Sequence, residues 1–146
     1  MEEGEKTLIM REEQLCQLPT LTLAYIGDGV YELRIRRFLL ESGITRAERL
    51  HEKAVSLVRA DFQSRCFGIL ESQLFPSEHD VMFRGRNAKS GRQPKHAEMA
   101  DYRRATGVET LIGHLYLSGK AERLEEIFSV ILSLAQEEGN GSEVQK

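Results

Sequence analysis

The sequence predicts an all-α fold, and three observations carry the prediction. Apolar residues recur at helical spacing through the long stretches 20–41, 57–73, 97–117 and 121–135. No alternating apolar and polar run of useful strand length interrupts them. Proline and glycine fall where helices have to begin or end, at Pro19, Gly43, Pro76 and Gly119. At 146 residues the chain is expected to form one domain with a single core, and it shows no internal repeat.

Taken in order, residues 1–12 read as a flexible, charged N-terminal segment. Residues 14–18 form a short turn ending at Pro19, because the residue before a proline avoids helical backbone. Thr20 is expected to cap the central helix, which runs to Glu41 and stops at Gly43. Thr45, with Glu48 three residues later, has the capping-box pattern, so a helix starts there and runs to about Val55. Ser56 then caps a helix over 57–73 with Leu57, Phe62, Cys66, Ile69 and Leu70 on its buried stripe.

Pro76 opens a short helix bearing Val81, Met82 and Phe83. Residues 84–94, RGRNAKSGRQP, hold no aliphatic side chain larger than alanine, and read as an exposed loop. Helix resumes near Ala97 and continues to Leu117. The last helix, 121–135, packs Leu124, Ile127, Phe128, Ile131 and Leu134, and residues 137–146 read as a flexible tail. The folded domain is thus 13–136, organised around the central stretch 21–40.

Composition narrows the function. A net charge of −3 announces no global affinity for nucleic acid, so any basic footprint has to be local. Cys16 and Cys66 lack metal-type spacing and read as reduced thiols rather than a disulfide. No apolar run approaches the roughly 20 residues of a membrane span, and the opening MEEGEK is the opposite of a secretory signal. A cytoplasmic location with no membrane partner is the expectation.

Two acids interrupt the apolar faces. At about 100° per residue, Leu21, Ala24, Ile35 and Leu39 fall close to the direction of Asp28 on the central helix. Around Glu109 the same-face residues are Tyr102, Ala105, Ile112, Gly113 and Tyr116. A carboxylate on such a face is costly to ionise unless something compensates it. Small residues flank both acids, Gly27 and Gly29 beside Asp28, Ala105 and Gly113 near Glu109. Helices that cross there would bring the acids together, raising one pKa or recruiting a cation. A hard divalent cation takes carboxylate oxygens and could activate water against a phosphodiester. The alternative pairs either acid with Arg36 or Arg104. Glu32 has two readings as well: it joins the acids, or it turns outward to Arg36 one turn on.

Positive charge concentrates between residues 84 and 104, where Arg84, Arg86, Lys89, Arg92, Lys95, Arg103 and Arg104 outnumber Glu98 and Asp101. Arginine forks, with Asn87 and Ser90 as donors, suit backbone phosphates. No aromatic side chain lies between Arg84 and Met99, which disfavours a single-strand stacking platform and favours a duplex read by its shape.

These residues resemble a known family. Tyr25-Ile-Gly-Asp28 with Gly29-Val-Tyr-Glu32 is similar to the signature helix of the ribonuclease III catalytic domain, and Thr106-Gly-Val-Glu109-Thr-Leu-Ile-Gly113 to its second acidic motif. Arg84-Gly-Arg-Asn-Ala-Lys-Ser90 with Tyr102-Arg103 resembles the Mini-ribonuclease III subfamily, and the likeness extends over about 18–134. The resemblance implies a ribonuclease III endonuclease-like helical bundle acting as a homodimeric endoribonuclease. Its substrate would be double-stranded RNA, with Mg²⁺ (or Mn²⁺) as cofactor and 5′-phosphomonoester products. It further implies maturation of the ends of precursor large-subunit (23S) ribosomal RNA, with a large-subunit ribosomal protein as a helper, and no following double-stranded-RNA-binding domain.

By resemblance, Asp28 and Glu109 are the catalytic metal ligands, and Arg84, Arg86, Asn87, Lys89, Ser90 and Lys95 contact RNA. The larger relatives carry further acids where Leu21, Ala24 and Thr106 stand here, which leaves a sparser metal site. Glu32, Asp101 and Tyr102 are the candidates to support it. A non-catalytic helical RNA-binding or ribosome-assembly factor is the alternative class, and a small all-α nucleotide pyrophosphohydrolase is a third. The latter presents closely spaced Glu-x-x-Glu ligands and no long basic loop.

Overall fold

The computed structural model describes residues 9–89 and 98–144, and every regular element among them is helical. The elements are α1 (Glu12–Cys16), α2 (Thr20–Glu41), α3 (Ala47–Val58), α4 (Ala60–Leu70), α5 (Pro76–Asn87), α6 (Met99–Leu117) and α7 (Ala121–Val144). A 3-10 turn at Glu71–Gln73 joins α4 to α5.

The hub is α6 rather than α2. Between Ala105 and Leu115, every residue of α6 except Glu109 is buried, because α2, α4 and α5 pack around it. A helix enclosed in this way has no solvent face of its own. Tyr31, Ile35 and Leu39 of α2 meet Val108, Leu111, Ile112 and Leu115 of α6 in the core. Phe62 and Phe67 of α4 and Ile127, Phe128 and Ile131 of α7 complete it.

Glycines set how closely the hub is gripped. A Cβ built on Gly27 would lie 1.7 Å from the carbonyl oxygen of Glu109, and one on Gly113 would lie 2.0 Å from that of Leu23. The backbones of α2 and α6 therefore touch at this crossing. On the far side, a Cβ on Gly107 would come within 2.7 Å of the Met82 carbonyl, and one on Gly85 within 2.3 Å of the Thr110 hydroxyl.

Several boundaries differ from the sequence expectation for identifiable reasons. Thr20 is the first residue of α2 and caps nothing; Pro19, with φ −58° and ψ 142°, holds the N-cap position. The break between α3 and α4 falls at Arg59, which is extended, and not at Ser56. The Ser56 hydroxyl donates to the carbonyl of Lys53 inside the helix, a local bond that lets serine sit mid-helix. Helix α5 continues through Asn87, into the stretch read as loop, because Gly85 lets it press against α6.

Helix α7 likewise passes Ala135 and reaches Val144, into the stretch read as a tail. Glu137 and Glu138 are good helix formers, and Arg65 of α4 pairs with Glu138. Ile69 is exposed and Phe67 takes its expected place in the core. Both cysteines are free, Cys16 exposed and Cys66 buried. No helix among the described residues is long and apolar enough to cross a membrane.

Candidate active site

Asp28 does not lie in the middle of a buried stripe. The buried residues of α2 are Leu23, Ala24, Gly27, Tyr31, Ile35 and Leu39, and Asp28 stands exposed at their border beside an exposed Leu21. That border is where Glu109 emerges. The contact of Gly27 with the Glu109 backbone sets the two acids opposite each other, and their carboxyl groups share a hydrogen bond.

Two carboxyl groups in such contact hold a proton between them. Burial is the larger cause of the shift at Glu109, and the neighbouring Asp28 adds to it; together they push its pKa up to about 8. The Gln63 side chain on α4 opposes the shift, its Nε2 lying 3.5 Å from Glu109 Oε2. Neither arginine considered from the sequence neutralises this pair. Arg36 is bonded to Glu32 at 3.1 Å, and Arg104 lies 3.9 Å from Asp101 and 3.5 Å from the Ser64 hydroxyl.

The supporting candidates fare differently from the acids themselves. Glu32 turns outward to Arg36 and is not brought to the acid pair, because the i,i+4 partner lies within easier reach. Asp101 lies eight residues before Glu109, about 12 Å down α6, and lines a separate surface cavity with Asp61, Ser64 and Arg104. Tyr102 is half-buried, and its carbonyl accepts the Thr106 hydroxyl at 3.0 Å. Thr106, where the larger relatives of the resemblance carry an acid, thus satisfies itself on its own helix.

The described part of the basic stretch is helical. Arg84, Arg86 and Asn87 occupy the last turn of α5, and Lys89 follows it, exposed. Ser90 and Lys95 lie outside the described residues. Arg86 stacks on Phe83 with its guanidinium 4.5 Å from the ring centre, and its Nε donates to Asn87 at 3.1 Å. This turn packs through Gly85 on Thr110, the residue after Glu109, so one segment of α6 anchors both the acid and the basic helix end.

The donor set fits a hard divalent cation: two carboxylates face each other, and a cation between them would remove the repulsion that raises Glu109. Among the described residues no third His, Cys, Asp or Glu joins them in a metal-binding group. The protein therefore offers few ligands, and water or phosphate oxygens would have to supply the rest. Gln63 is the residue that sequence reasoning missed at this site. Its signal was available, since position 63 shares the α4 face that carries Phe67 and Leu70 into the core.

The chain is similar to known proteins over most of its length. Residues 21–120 match the family described as Ribonuclease III domain. A Symbiobacterium thermophilum protein named Mini-ribonuclease 3 is 47% identical over 118 residues, covering 81% of this chain and 91% of its own. The Clostridium tetani protein of the same name is 43% identical over 127 residues, covering 86% and 84%. The crystal structure of protein FN1578 from Fusobacterium nucleatum superposes with a TM-score of 0.72 at 27% identity, covering 80% of this chain and 93% of that one.

Proposed function

As a member of the ribonuclease III family, on its Mini-ribonuclease 3 branch, this chain is an endoribonuclease acting on double-stranded RNA, and we propose that Asp28 and Glu109 are the carboxylates that carry its chemistry. The observation that supports this is their direct contact at Glu109, the one residue of α6 between Ala105 and Leu115 that is not buried. The proposed reaction is hydrolysis of a phosphodiester, leaving a 5′-phosphate and a 3′-hydroxyl. A bound Mg²⁺ (or Mn²⁺) would supply Lewis-acid polarisation of the phosphate and a more acidic water. Asp28 and Glu109 would hold that cation through oxygens that repel each other without it.

Binding is proposed to fall to the end of α5. Arg84, Arg86 and Lys89, with Asn87, present cations and donors next to the segment of α6 that carries Glu109, the kind of groups that engage the phosphates of a duplex. Stacking on Phe83 pre-orders Arg86, so less side-chain freedom is lost when it meets a phosphate. Ser90 and Lys95 extend the same reading along the chain.

A homodimer is proposed as the working form. Tyr25, 77% exposed and three residues before Asp28, and Leu33, 70% exposed further along α2, leave large apolar side chains uncovered on this helix, and a two-fold pair would offer one site to each strand of a duplex. The substrate within this class is proposed to be the paired ends of precursor large-subunit ribosomal RNA, presented with a ribosomal protein. The subfamily resemblance supports that choice.

The deciding experiment is a Mg²⁺ titration of cleavage on a structured duplex and on a single strand, with product ends mapped. The reading expects duplex cutting with 5′-phosphate ends, and an Asp28→Asn variant that still shifts the duplex in a gel without cutting it. Cleavage by that variant at the wild-type rate would remove Asp28 from the site.

A further inference from the structure

Glu109 has a second neighbour, and it is not an acid. Gln63 enters from α4, with only 3% of its surface exposed, and its amide Nε2 is directed at Glu109 Oε2 from 3.5 Å. Its neighbours on the same helix, Phe62, Cys66 and Phe67, belong to the core. A side-chain amide in such surroundings is costly unless it is hydrogen-bonded. Packing alone would be met as well by leucine or methionine.

We infer that Gln63 is a positioning residue, an amide donor that fixes the Glu109 carboxylate so that it and Asp28 present their oxygens to one divalent cation. This rests on the reading of those two acids as cation ligands. The need for such a donor follows from how few ligands the chain offers. A cation held by two carboxylates gains from each being correctly turned, and a wrongly rotated Glu109 leaves Asp28 alone. Asp28 is exposed on α2, whereas Glu109 is half-buried and within reach of α4, so the oriented partner is Glu109. Gln63 donates to an acceptor and carries no charge, so it turns the carboxylate without competing for the cation, as a lysine would. Outer hydrogen bonds of this kind typically change metal affinity by about 10- to 100-fold.

The test is Mn²⁺ binding followed by electron paramagnetic resonance, with no RNA present, on wild type, Asp28→Asn, Gln63→Met and Gln63→Asn. Methionine matches glutamine in volume without a donor; asparagine keeps the amide but falls a methylene short. Circular dichroism checks that each variant is folded, and the asparagine variant stands if the methionine one fails to fold. Both are expected to bind Mn²⁺ about tenfold more weakly than wild type, and to cut with lower kcat at an unchanged KM for duplex. A folded Gln63 variant with wild-type Mn²⁺ affinity overturns the inference while leaving the acid pair in place. If wild type and Asp28→Asn bind Mn²⁺ equally, the acid-pair reading itself fails.

Discussion

Gly27 of α2 sits directly over the backbone of Glu109 in α6, so near that a Cβ at position 27 would lie 1.7 Å from the Glu109 carbonyl oxygen. The same crossing that lets the helices touch also places Asp28, one residue on, against the Glu109 side chain. Backbone contact and acid pairing are one feature. Gly27→Ala should push α2 and α6 apart, costing about 3 kcal/mol or more and separating the carboxylates. Denaturant melts and a cleavage assay would show both losses together. Gly68→Ala is the control: a Cβ there meets nothing within 4 Å, so a gain of up to about 1 kcal/mol is expected from helix propensity alone. A Gly27→Ala protein with unaltered melting would mean that the crossing is looser than its geometry.

The raised pKa of Glu109, about 8, has a consequence for stability in the metal-free protein. Its unfolded value is near 4.5. Between those limits the folded state keeps a proton that the unfolded chain has released, so stability falls as pH rises through that window. The melting temperature without metal should decline from pH 5 to 8.5. Glu109→Gln should flatten the decline, because glutamine cannot ionise. Added Mg²⁺ should raise the melting temperature more at pH 8.5 than at pH 6, since the cation and the proton compete for the same oxygens. Equal slopes for wild type and Glu109→Gln would place the titration elsewhere.

For the basic turn the measurement is salt dependence. Each phosphate contact contributes a nearly fixed increment to the slope of binding against salt. Replacing Arg84, Arg86 and Lys89 with alanine in an Asp28→Asn background should weaken duplex binding and flatten that slope. Phe83→Leu is the finer probe. It leaves every charge in place but removes the ring that Arg86 stacks on, so affinity should drop with the slope retained. A triple variant with the wild-type slope would take α5 out of the RNA interface.

How much of this was written in the chain depends on the range of the interactions involved. The helical class and the ends of α2 at Glu41 and of α6 at Leu117 follow from local periodicity, whereas the meeting of Asp28 with Glu109 stands in the sequence beside the alternative of pairing with Arg36 or Arg104, and only the crossing of α2 on α6 decides between them. What the sequence could not rank was the hub. The 21–40 stretch and 99–117 look equally apolar, and only packing reveals that α6 is enclosed while α2 keeps an open side. The same limit hid the continuation of α5 through Gly85, since a glycine beside charged residues signals a loop unless a partner helix presses on it. For Gln63 the sequence shows a polar residue on the apolar face of Phe67 and Leu70, but its role depends on a partner 46 positions away that local spacing does not reveal.

The last prediction concerns the support under α5 and not the chemistry. Glu78, at the start of α5, is buried, and Arg123 of α7 grips it through Nε at 2.8 Å and through its terminal nitrogen at 2.9 Å. Arg123 also donates to the Gln73 carbonyl and lies over the Phe75 ring at 4.4 Å, so one guanidinium ties α7 to the 3-10 turn and to the beginning of α5. Removing Glu78 takes two charge-assisted hydrogen bonds from Arg123, which keeps Glu126 and the Gln73 carbonyl as partners. Glu78→Leu should therefore cost about 1.5 to 3 kcal/mol, and the double change Glu78→Leu with Arg123→Met should cost less than the two single losses added together. Burial alone would raise the Glu78 pKa, but the hydrogen bonds and charge of Arg123 outweigh it and hold the carboxyl below its usual value. A lowered acid stabilises the fold above its unfolded pKa, and that stability disappears as pH falls through the folded value. The deficit of Glu78→Leu against wild type should therefore be largest near neutral pH and narrow in acid, while the Mn²⁺ affinity of the folded protein stays at its wild-type value. Loss of cation binding in a variant that remains folded would mean that the α5 base and the acid pair are coupled, contrary to the separation of the two features in this fold.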